Sequence, residues 1–357
     1  MADVAPFRAI RYARPSPSVV APPYDVISPE ERLELLRRDE HNVAQLTLAE
    51  PEEDAGERFR GWLDEGVLVR DDEAAYWLLE QDYVGPDGVE RTRSGLVASL
   101  LAEPYETGAV LPHERTHTAP KASRLRLLRA ARAQLEPILL LHDAPLPVER
   151  PGRDPDVTVE GSRLWRLADA SPIPDAFSGR QLLIADGHHR YETALAFQAE
   201  EGAPDSARVL AVLVSVSDPG LHVSPTHRLF VGRPELEFQG EATTPEEALA
   251  RLAAMPYERA AAVAYRAGEA VLVEGDAGEL DVELVDRFGH DGIAYTPDWR
   301  DAVARVDHGG ADVAFLLRPT RIEDVFARAR RGEVLPQKTT YFFPKLLSGL
   351  LFLPLES

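Results

Sequence analysis

The chain has 357 residues, of which 44% are hydrophobic and 28% charged, as in a globular protein long enough for about two or three domains. It contains no cysteine, so disulfides, thiolate metal sites, iron–sulfur clusters and cysteine nucleophiles are excluded. The formal net charge of −21 disfavours a nucleic-acid partner, because a phosphate backbone would be repelled unless basic residues were segregated on one face.

Neither end of the chain predicts a membrane segment. No basic stretch followed by an apolar run opens the sequence, so we expect no signal peptide. The apolar run near Leu346–Leu355 is too short to span a bilayer and is interrupted by Ser348, Gly349 and Pro354. We therefore expect a cytoplasmic protein with no membrane partner.

The first predicted elements follow a proline-rich beginning. Residues 21–28, Ala-Pro-Pro-Tyr-Asp-Val-Ile-Ser, are predicted to be extended, because a residue before proline is disfavoured in the α region. Ser28 is then a suitable helix cap, and Glu31 completes a capping box. A second helix is predicted over Ala55–Glu65. Two strands follow, Ala75–Tyr83 and Thr92–Leu101, joined by a hairpin turn at Gly85–Gly88. Because a hairpin joins antiparallel strands, a purely parallel sheet is not expected.

The later elements alternate between helix and strand. In chain order we predict a basic helix over Lys121–Gln134, a strand over Ile138–His142, and a surface connection over residues 143–180 with an embedded strand at Ser162–Leu167. A buried strand over Gln181–Ala185, a helix over Tyr191–Glu201 and another apolar strand over Arg208–Ser217 follow. The alternation predicts an α/β or mixed α+β fold. We expect three parts, residues 1–145, 146–235 and 236–357, which can form one compact unit.

The densest group of chemically capable residues is Asp186-Gly187-His188-His189-Arg190. A strand, a glycine turn and a helix make an anion site, because the first helical N–H groups have no acceptor within the helix and the helix dipole adds positive charge there. Arg190 can bind two phosphate oxygens, and the histidines can be cationic or transfer a proton. Asp186 can orient a histidine, bind Mg²⁺ or accept a proton. In the simpler interpretation, the histidines are surface residues and Asp186 caps the helix.

The spacing of the histidines does not favour a zinc site. Neither this motif nor the segment from His113 and Glu114 to His117 has the His-x-x-x-His spacing that places two imidazoles on one helix face. A structural zinc site is therefore not expected. Mg²⁺ held by a carboxylate and by substrate phosphates is favoured, with Asp186 as the candidate ligand.

Three other segments are candidates for function. Only three lysines occur among the 39 basic residues, namely Lys121, Lys338 and Lys345, which indicates positions where an ammonium group is needed. His113 and Glu114 form a potential acid–base pair before the basic helix. His227 and Arg228 follow the strand after the main motif and can return to its cleft. The segment from Lys338 to Lys345 mixes aromatic, hydroxyl and lysine side chains, as a ligand lid does. Each also has a plain interpretation, as a solvated loop, a turn or a core strand.

No P-loop, dinucleotide-binding glycine motif or serine-hydrolase elbow occurs in the sequence. Six segments instead resemble the bacterial and archaeal family called domain of unknown function 1015, whose name implies no activity. They are Pro6–Ala9, Ala21–Ser28, Leu111–Glu114, Ile184–Thr193, Pro225–Arg228 and Lys338–Gly349.

The motif at Asp186–Arg190 also resembles the phosphate-binding motif of the ParB/sulfiredoxin superfamily, especially the free-serine kinases. This resemblance implies a ParB/sulfiredoxin-like core with added α/β elements and a bound nucleotide (ATP, ADP or CTP), with Mg²⁺. The chain departs from that family in being longer than a minimal domain of this type, and its acidic balance does not suit DNA clamping.

The hypothesis that follows is phosphotransfer to a small hydroxyl substrate such as serine. Arg190, His188 and His189 would hold the phosphates, and Lys121 or Lys338 would offset developing charge. Asp25, Glu30 or Asp186 would accept the hydroxyl proton. Further candidates are Tyr24, His113, Glu114, His227, Arg228 and Lys345. The alternatives are a phosphatase acting on a small phosphorylated molecule such as phosphoserine, and a non-catalytic nucleotide-binding regulator of the ParB type.

Overall fold

The computed structural model describes residues 2–114 and 118–355, with the backbone alone for residues 118–120 and 204–205. Its helices and strands confirm the mixed α/β architecture. The described residues form two compact units, one made of residues 2–112, 118–221 and 344–355 and the other of residues 113–114 and 222–343. The boundary predicted at residue 235 lies inside the second unit.

A large mixed sheet is the framework of the first unit. Its strands lie in the order Val110–Leu111, Leu182–Asp186, Ile138–His142, Arg208–Ser215, Glu90–Leu101, Trp77–Val84, Ser162–Arg166 and Val157–Val159, and Val4–Ala5 also pairs with Glu90–Leu101. Leu182–Asp186 runs parallel to Val110–Leu111, Arg208–Ser215 runs parallel to Ile138–His142, and the other pairs are antiparallel. The predicted hairpin is confirmed, because Val84 pairs with Glu90 across the turn.

Helices and short ribbons complete the first unit. The α-helices are Pro29–Arg38, Ala44–Thr47, Asp54–Asp64, Thr118–Ala131, Ile173–Phe177 and His188–Glu201, with 3-10 turns at Tyr24–Val26, Tyr105–Thr107 and Pro204–Ala207. The strand Ile10–Tyr12 pairs with Leu68–Arg70, and Ala133–Gln134 pairs with Leu353–Pro354. The predicted capping box is confirmed, since Glu31 N donates to Ser28 Oγ at 3.2 Å and Ser28 N donates to the Glu31 carboxylate at 2.8 Å.

One buried cluster of the first unit lies between the large sheet and the helix His188–Glu201. Tyr191 and Ala194 on this helix are fully buried with Leu140 and Leu213 on the central strands. Complete burial of each leucine contributes roughly 1.5–3 kcal/mol. The last part of the chain, residues 344–355, is called the closing segment below. Its leucines line a cavity of about 20 Å³ together with Leu79 of the sheet. Leu182 and Ile184, on the strand that ends in Asp186, belong to the same buried cluster as Tyr191 and Ala194.

The second unit is built on an antiparallel sheet. Its strands lie in the order Ala242–Thr243, Glu269–Ala277, Arg259–Arg266, Val313–Leu316, His227–Phe230 and Ile293–Thr296. Its helices are Pro245–Ala254, Asp281–Asp286, Trp299–Asp307 and Ile322–Arg330, and a ribbon pairs His222–Ser224 with Tyr341–Phe343. In neither described stretch of the chain is there a helix with the length and apolar character needed to cross a membrane.

Candidate functional site

The motif turns sharply at Gly187. This residue has φ of 98°, in the left-handed region that favours glycine. A Cβ atom here would lie only 2.6 Å from Cγ2 of Ile138 on the neighbouring strand. The helix begins at His188 rather than at Tyr191, because Tyr191 N already donates to Gly187 O at 3.0 Å. His188, His189 and Arg190 therefore form the first helical turn.

The start of this helix, called the motif helix (His188–Glu201), has no side-chain cap. The first N–H groups of any α-helix have no acceptor within the helix, and the helix dipole places partial positive charge at the same end. Gly187 is the N-cap residue in place of Asp186, whose carboxylate accepts hydrogen bonds from Arg190 and Lys345. His188 is buried and His189 is half-buried.

Arg190 turns inward from the first turn of the motif helix. Its Nη2 donates to Oδ2 of Asp186 at 2.5 Å, its Nη1 donates to the carbonyl oxygen of Pro137, and its side chain is 7% exposed. Burial is the largest influence on the pKa of Arg190 and lowers it, but the negative charges of Asp186 and Glu136 outweigh it, so the pKa is raised. The guanidinium thus stays charged and fixes Asp186 against the start of the neighbouring strand.

Lys345 of the closing segment contacts the other oxygen of Asp186. Its Nζ donates to Oδ1 at 2.5 Å, and the two side chains are 16% and 15% exposed. The carboxylate of Asp186 is therefore held between Lys345 and Arg190. Two sequence-predicted candidates that are far apart in the chain, Lys345 and the glycine–histidine motif, are brought together in the first unit.

Tyr24 and Asp25 lie in the 3-10 turn Tyr24–Val26, and not in an extended segment as predicted over residues 21–28, because Val26 N donates to Pro23 O at 3.1 Å. This turn lies beside the same cluster. Tyr24 N donates to Oε1 of Glu136 at 2.9 Å, and Ser348 Oγ donates to the same oxygen at 2.9 Å. Burial raises the pKa of the Tyr24 hydroxyl, and the positive charge of Arg190 partly opposes this. Asp25 is exposed, and its charge helps to raise the pKa of Arg190. Both residues are thus near the motif.

Lys121 and Glu30 occupy different positions in the first unit. The Lys121 ammonium donates to Glu192 on the motif helix, and Tyr105 OH approaches the other oxygen of that carboxylate at 3.5 Å. Lys121 is therefore already neutralised by the helix that carries the motif. Glu30 is exposed in the first turn of Pro29–Arg38, where a carboxylate stabilises the helix dipole.

The basic helix predicted over Lys121–Gln134 ends at Ala131, since Ala133–Gln134 is a strand, and basic residues on it and just after it have carboxylate partners. Arg126 pairs with Glu52 at 2.7 Å, and two further arginines pair with the motif helix. These are Arg129 with Glu200 at 2.5 Å and Arg132 with Glu201 at 3.0 Å. The arginines therefore do not form an unpaired basic stripe of the kind that binds a nucleic-acid backbone.

The second unit contains the other predicted candidates. His113 and Glu114 contact the segment before Tyr341: His113 Nε2 lies 3.1 Å from Thr340 Oγ1, and Lys338 N donates to Oε1 of Glu114 at 3.2 Å. The Lys338 side chain is exposed. Arg115, Thr116 and His117 lie outside the described residues.

His227 and Arg228 are buried within the sheet of the second unit. Nδ1 of His227 accepts a hydrogen bond from Leu317 N at 3.0 Å, and burial lowers the pKa of His227 to about 4, so it is neutral at pH 7. Nη1 of Arg228 donates to Val282 O at 2.8 Å, and burial lowers its pKa as well. Both side chains therefore have structural partners within their own unit.

Sequence reasoning missed three charged residues near the motif. Glu136 is 5% exposed and accepts the bonds from Tyr24 and Ser348, Arg124 lies over the Tyr24 ring at 4.1 Å, and Arg93 is 1% exposed. The sequence does contain a signal for Glu136: it is a single carboxylate between Leu135 and Pro137, directly before a continuous apolar strand. Such a residue is expected to be paired if it is buried.

No group of three or more histidine, aspartate or glutamate side chains within residues 2–114 and 118–355 is arranged to hold a metal ion. The proposed ligand Asp186 has both oxygens engaged by Arg190 and Lys345. The described protein side chains therefore do not form a metal centre of their own.

Comparisons with known proteins place the chain in a family. It is similar to solved structures of a conserved hypothetical protein from Pyrococcus furiosus (19% identity, 67% of this chain, 89% of that chain, TM-score 0.37) and of a free serine kinase in complex with AMP (19% identity, 66% and 83%, TM-score 0.39). It is also similar to SbnI with a C-terminal truncation from Staphylococcus aureus (15% identity, 69% and 84%, TM-score 0.41). No curated protein matches the chain significantly. Residues 4–278 match the family described as Protein of unknown function (DUF1015), and because this is more than half of the sequence, the chain belongs to that family.

Proposed function

We propose that the chain binds the phosphates of a nucleotide at the start of the motif helix and transfers a phosphoryl group to a small hydroxyl substrate, a serine-like amino acid being the leading candidate. The observation that carries the proposal is the uncapped helix start after Gly187, with two histidines in its first turn and the Asp186–Lys345 pair directly before it. Backbone N–H groups and nearby cations are the groups that bind phosphate at helix N-termini. A ParB/sulfiredoxin-like core is part of the same proposal.

The roles of the cations follow from their contacts. Arg190 is a positioning residue, because its two Nη atoms bond to Asp186 and Pro137. Lys345 is half of a partly buried pair and would supply positive charge to an incoming phosphate. His188 and His189 stand on the first helical turn, where an imidazole can donate to a phosphate oxygen or transfer a proton. Mg²⁺ would enter as the magnesium complex of the nucleotide, held mainly by phosphates and water.

Asp25 is the carboxylate that we assign as proton acceptor. It is exposed, and it is close enough to Arg190 to affect the pKa of that guanidinium. Both oxygens of Asp186 already accept hydrogen bonds from cations, and Glu30 stabilises a helix start. In the transfer, the substrate hydroxyl oxygen bonds to phosphorus, the bond from phosphorus to the nucleotide oxygen breaks, and the hydroxyl proton passes to Asp25.

The paired arginines on the basic helix and just after it support an enzyme over a DNA-binding regulator. Arg126, Arg129 and Arg132 each have a glutamate partner, and the chain carries a net charge of −21. Release of counterions from DNA requires cations that are available to phosphates. We therefore expect no salt-sensitive DNA binding at physiological ionic strength.

Three incubations test the proposal: ATP or ADP with L-serine, phosphoserine alone, and nucleotide alone. Phosphoserine formed in the first supports phosphotransfer, phosphate released in the second indicates the phosphatase, and binding without turnover indicates the regulator. His188→Ala is expected to reduce nucleotide affinity and turnover, whereas the exposed His308→Ala serves as control. Full activity of the His188→Ala protein would reject this site.

A further inference from the structure

Arg93 is a buried cation without a counter-ion in the first unit. It lies on the strand Glu90–Leu101, and its side chain is 1% exposed. Nη2 donates to Oε1 of Gln81 at 2.5 Å and to the carbonyl oxygen of Pro344 at 2.8 Å, and both acceptors are neutral. Nη1 is buried and has no hydrogen-bond partner in the described part of the chain. A buried charge is strongly destabilising unless a partner compensates it.

The neighbouring carboxylates do not supply this partner. Burial lowers the pKa of Arg93 to about 10, and the negative charges of Asp218 and Asp186 offset this only in part. The oxygens of Asp218 accept hydrogen bonds from Gly220 N at 2.9 Å and Ser94 N at 3.3 Å. Arg93 therefore stays cationic at neutral pH, and one of its terminal nitrogens lacks an acceptor.

The closing segment connects Arg93 to the proposed phosphate site. Pro344 accepts from Arg93, and the next residue, Lys345, bonds to Asp186 at 2.5 Å. Pro344 and Lys345 are adjacent in the chain, so the residue bonded to Arg93 and the residue bonded to Asp186 are separated by one Cα–Cα step of about 3.8 Å. The electrostatic effect of Asp186 on Arg93 agrees with this closeness.

We propose that Arg93 binds the carboxylate of the acceptor molecule whose hydroxyl receives the phosphoryl group. This inference rests on the proposed function and restricts its substrates to small hydroxy acids, amino acids included. A carboxylate matches the single charge of one guanidinium, and arginine binds it with directional N–H bonds. Nη1 is the group offered to the carboxylate, because Nη2 already donates to Gln81 and Pro344.

The test compares acids with their decarboxylated counterparts by calorimetry on the full chain. The probes are L-serine against ethanolamine and glycerate against ethylene glycol. The wild type is expected to bind at least one acid about tenfold more tightly than its counterpart, and Arg93→Gln to remove this preference. The control is Arg91→Gln on the same strand, because Arg91 pairs with Asp87 at 2.6 Å near the surface.

Two results overturn the inference: a wild type that binds neither acid more tightly than its counterpart, and a preference that survives in the Arg93→Gln protein. If Arg93→Gln does not fold, Arg93→Met answers the same question, because it keeps an unbranched apolar chain and removes the cation together with its N–H donors. ADP is titrated separately. Acid preference with no ADP binding would contradict the phosphate site and leave the role of Arg93 supported, whereas ADP binding with no acid preference would reject Arg93 alone.

Discussion

Asp186 and Lys345 are 159 positions apart in the chain, and Nζ of Lys345 lies 2.5 Å from Oδ1 of Asp186. The other carboxylate oxygen accepts a hydrogen bond from Arg190. This carboxylate therefore ties the closing segment to the strand and helix that form the proposed phosphate site. Contacts within the first unit thus join the last part of the chain to a motif in its middle.

Removal of either member of the Asp186–Lys345 pair is expected to destabilise the first unit. A hydrogen bond between charged groups contributes about 1.5–3 kcal/mol when it is partly buried, as this one is. Asp186→Asn, Lys345→Gln and the double variant, measured by urea unfolding, should show a coupling free energy of about 1–3 kcal/mol. Additive effects of the two substitutions would mean that the contact contributes nothing to stability.

Gly187→Ala should impair both folding and nucleotide binding. The backbone is left-handed at this position, and the new methyl group would lie 2.6 Å from Ile138. Strain and overpacking together predict a loss of about 2–4 kcal/mol in the free energy of unfolding.

Gly202→Ala at the other end of the motif helix is the matched control. Gly202 is also left-handed, with φ of 71°, but no atom lies within 4 Å of the added methyl group. We expect a loss of about 1–2 kcal/mol and unchanged nucleotide affinity. Equal effects of the two substitutions on affinity would contradict the site at Gly187.

Asp25→Asn should abolish most turnover without preventing nucleotide binding. Loss of a proton acceptor lowers kcat by about 10²–10⁴-fold, whereas ground-state contacts to the nucleotide remain. Glu34→Gln, on the next helix and also exposed, should have the kcat of the wild type. Steady-state kinetics of both variants decide this assignment. A wild-type kcat for Asp25→Asn, with loss of activity in Glu30→Gln, would transfer the role to Glu30.

Stability should fall as pH falls from about 6.5 to about 4, in part through His142. Burial lowers the pKa of this histidine from 6.5 to about 4, and neither ring nitrogen has a partner in the described residues. In that window the unfolded chain takes up a proton that the folded chain does not, so lower pH favours unfolding by on the order of 3 kcal/mol in total.

His142→Leu removes this proton uptake. Its melting temperature should therefore depend less on pH between about 6.5 and about 4 than that of the wild type. The exposed His308→Leu variant provides the comparison and should keep the wild-type slope. Parallel melting curves for the His142→Leu protein and the wild type would exclude this histidine as a source of the acid sensitivity.

Local structure was predictable where the signal lies within a short stretch of sequence. The strand Ile138–His142 has the predicted bounds, because an apolar run between a proline and polar residues has few other solutions. The capping box at Ser28 is confirmed for the same reason. Apolar periodicity indicated the motif helix only from about Tyr191, because it does not report a polar first turn, whereas the glycine turn of the motif indicated the observed start just after Gly187.

The environment of each side chain was not predictable, because it depends on distant segments. Nothing next to Arg190 in sequence indicates that its guanidinium bonds to Pro137. The pattern around His227 and Arg228 is compatible with a turn, yet the two residues begin a buried strand. Arg93 lies on a strand of ordinary sequence, and one of its neutral acceptors, Pro344, is 251 positions away in the chain.

A crystal structure of the chain with ADP tests the central claim most directly. We predict that a phosphate oxygen lies about 2.7–3.2 Å from backbone nitrogens in the first turn of the motif helix, after Gly187. The Lys345 ammonium should lie close to the same phosphate. ADP bound elsewhere, with the first turn of this helix making no contact to phosphate, would contradict the account.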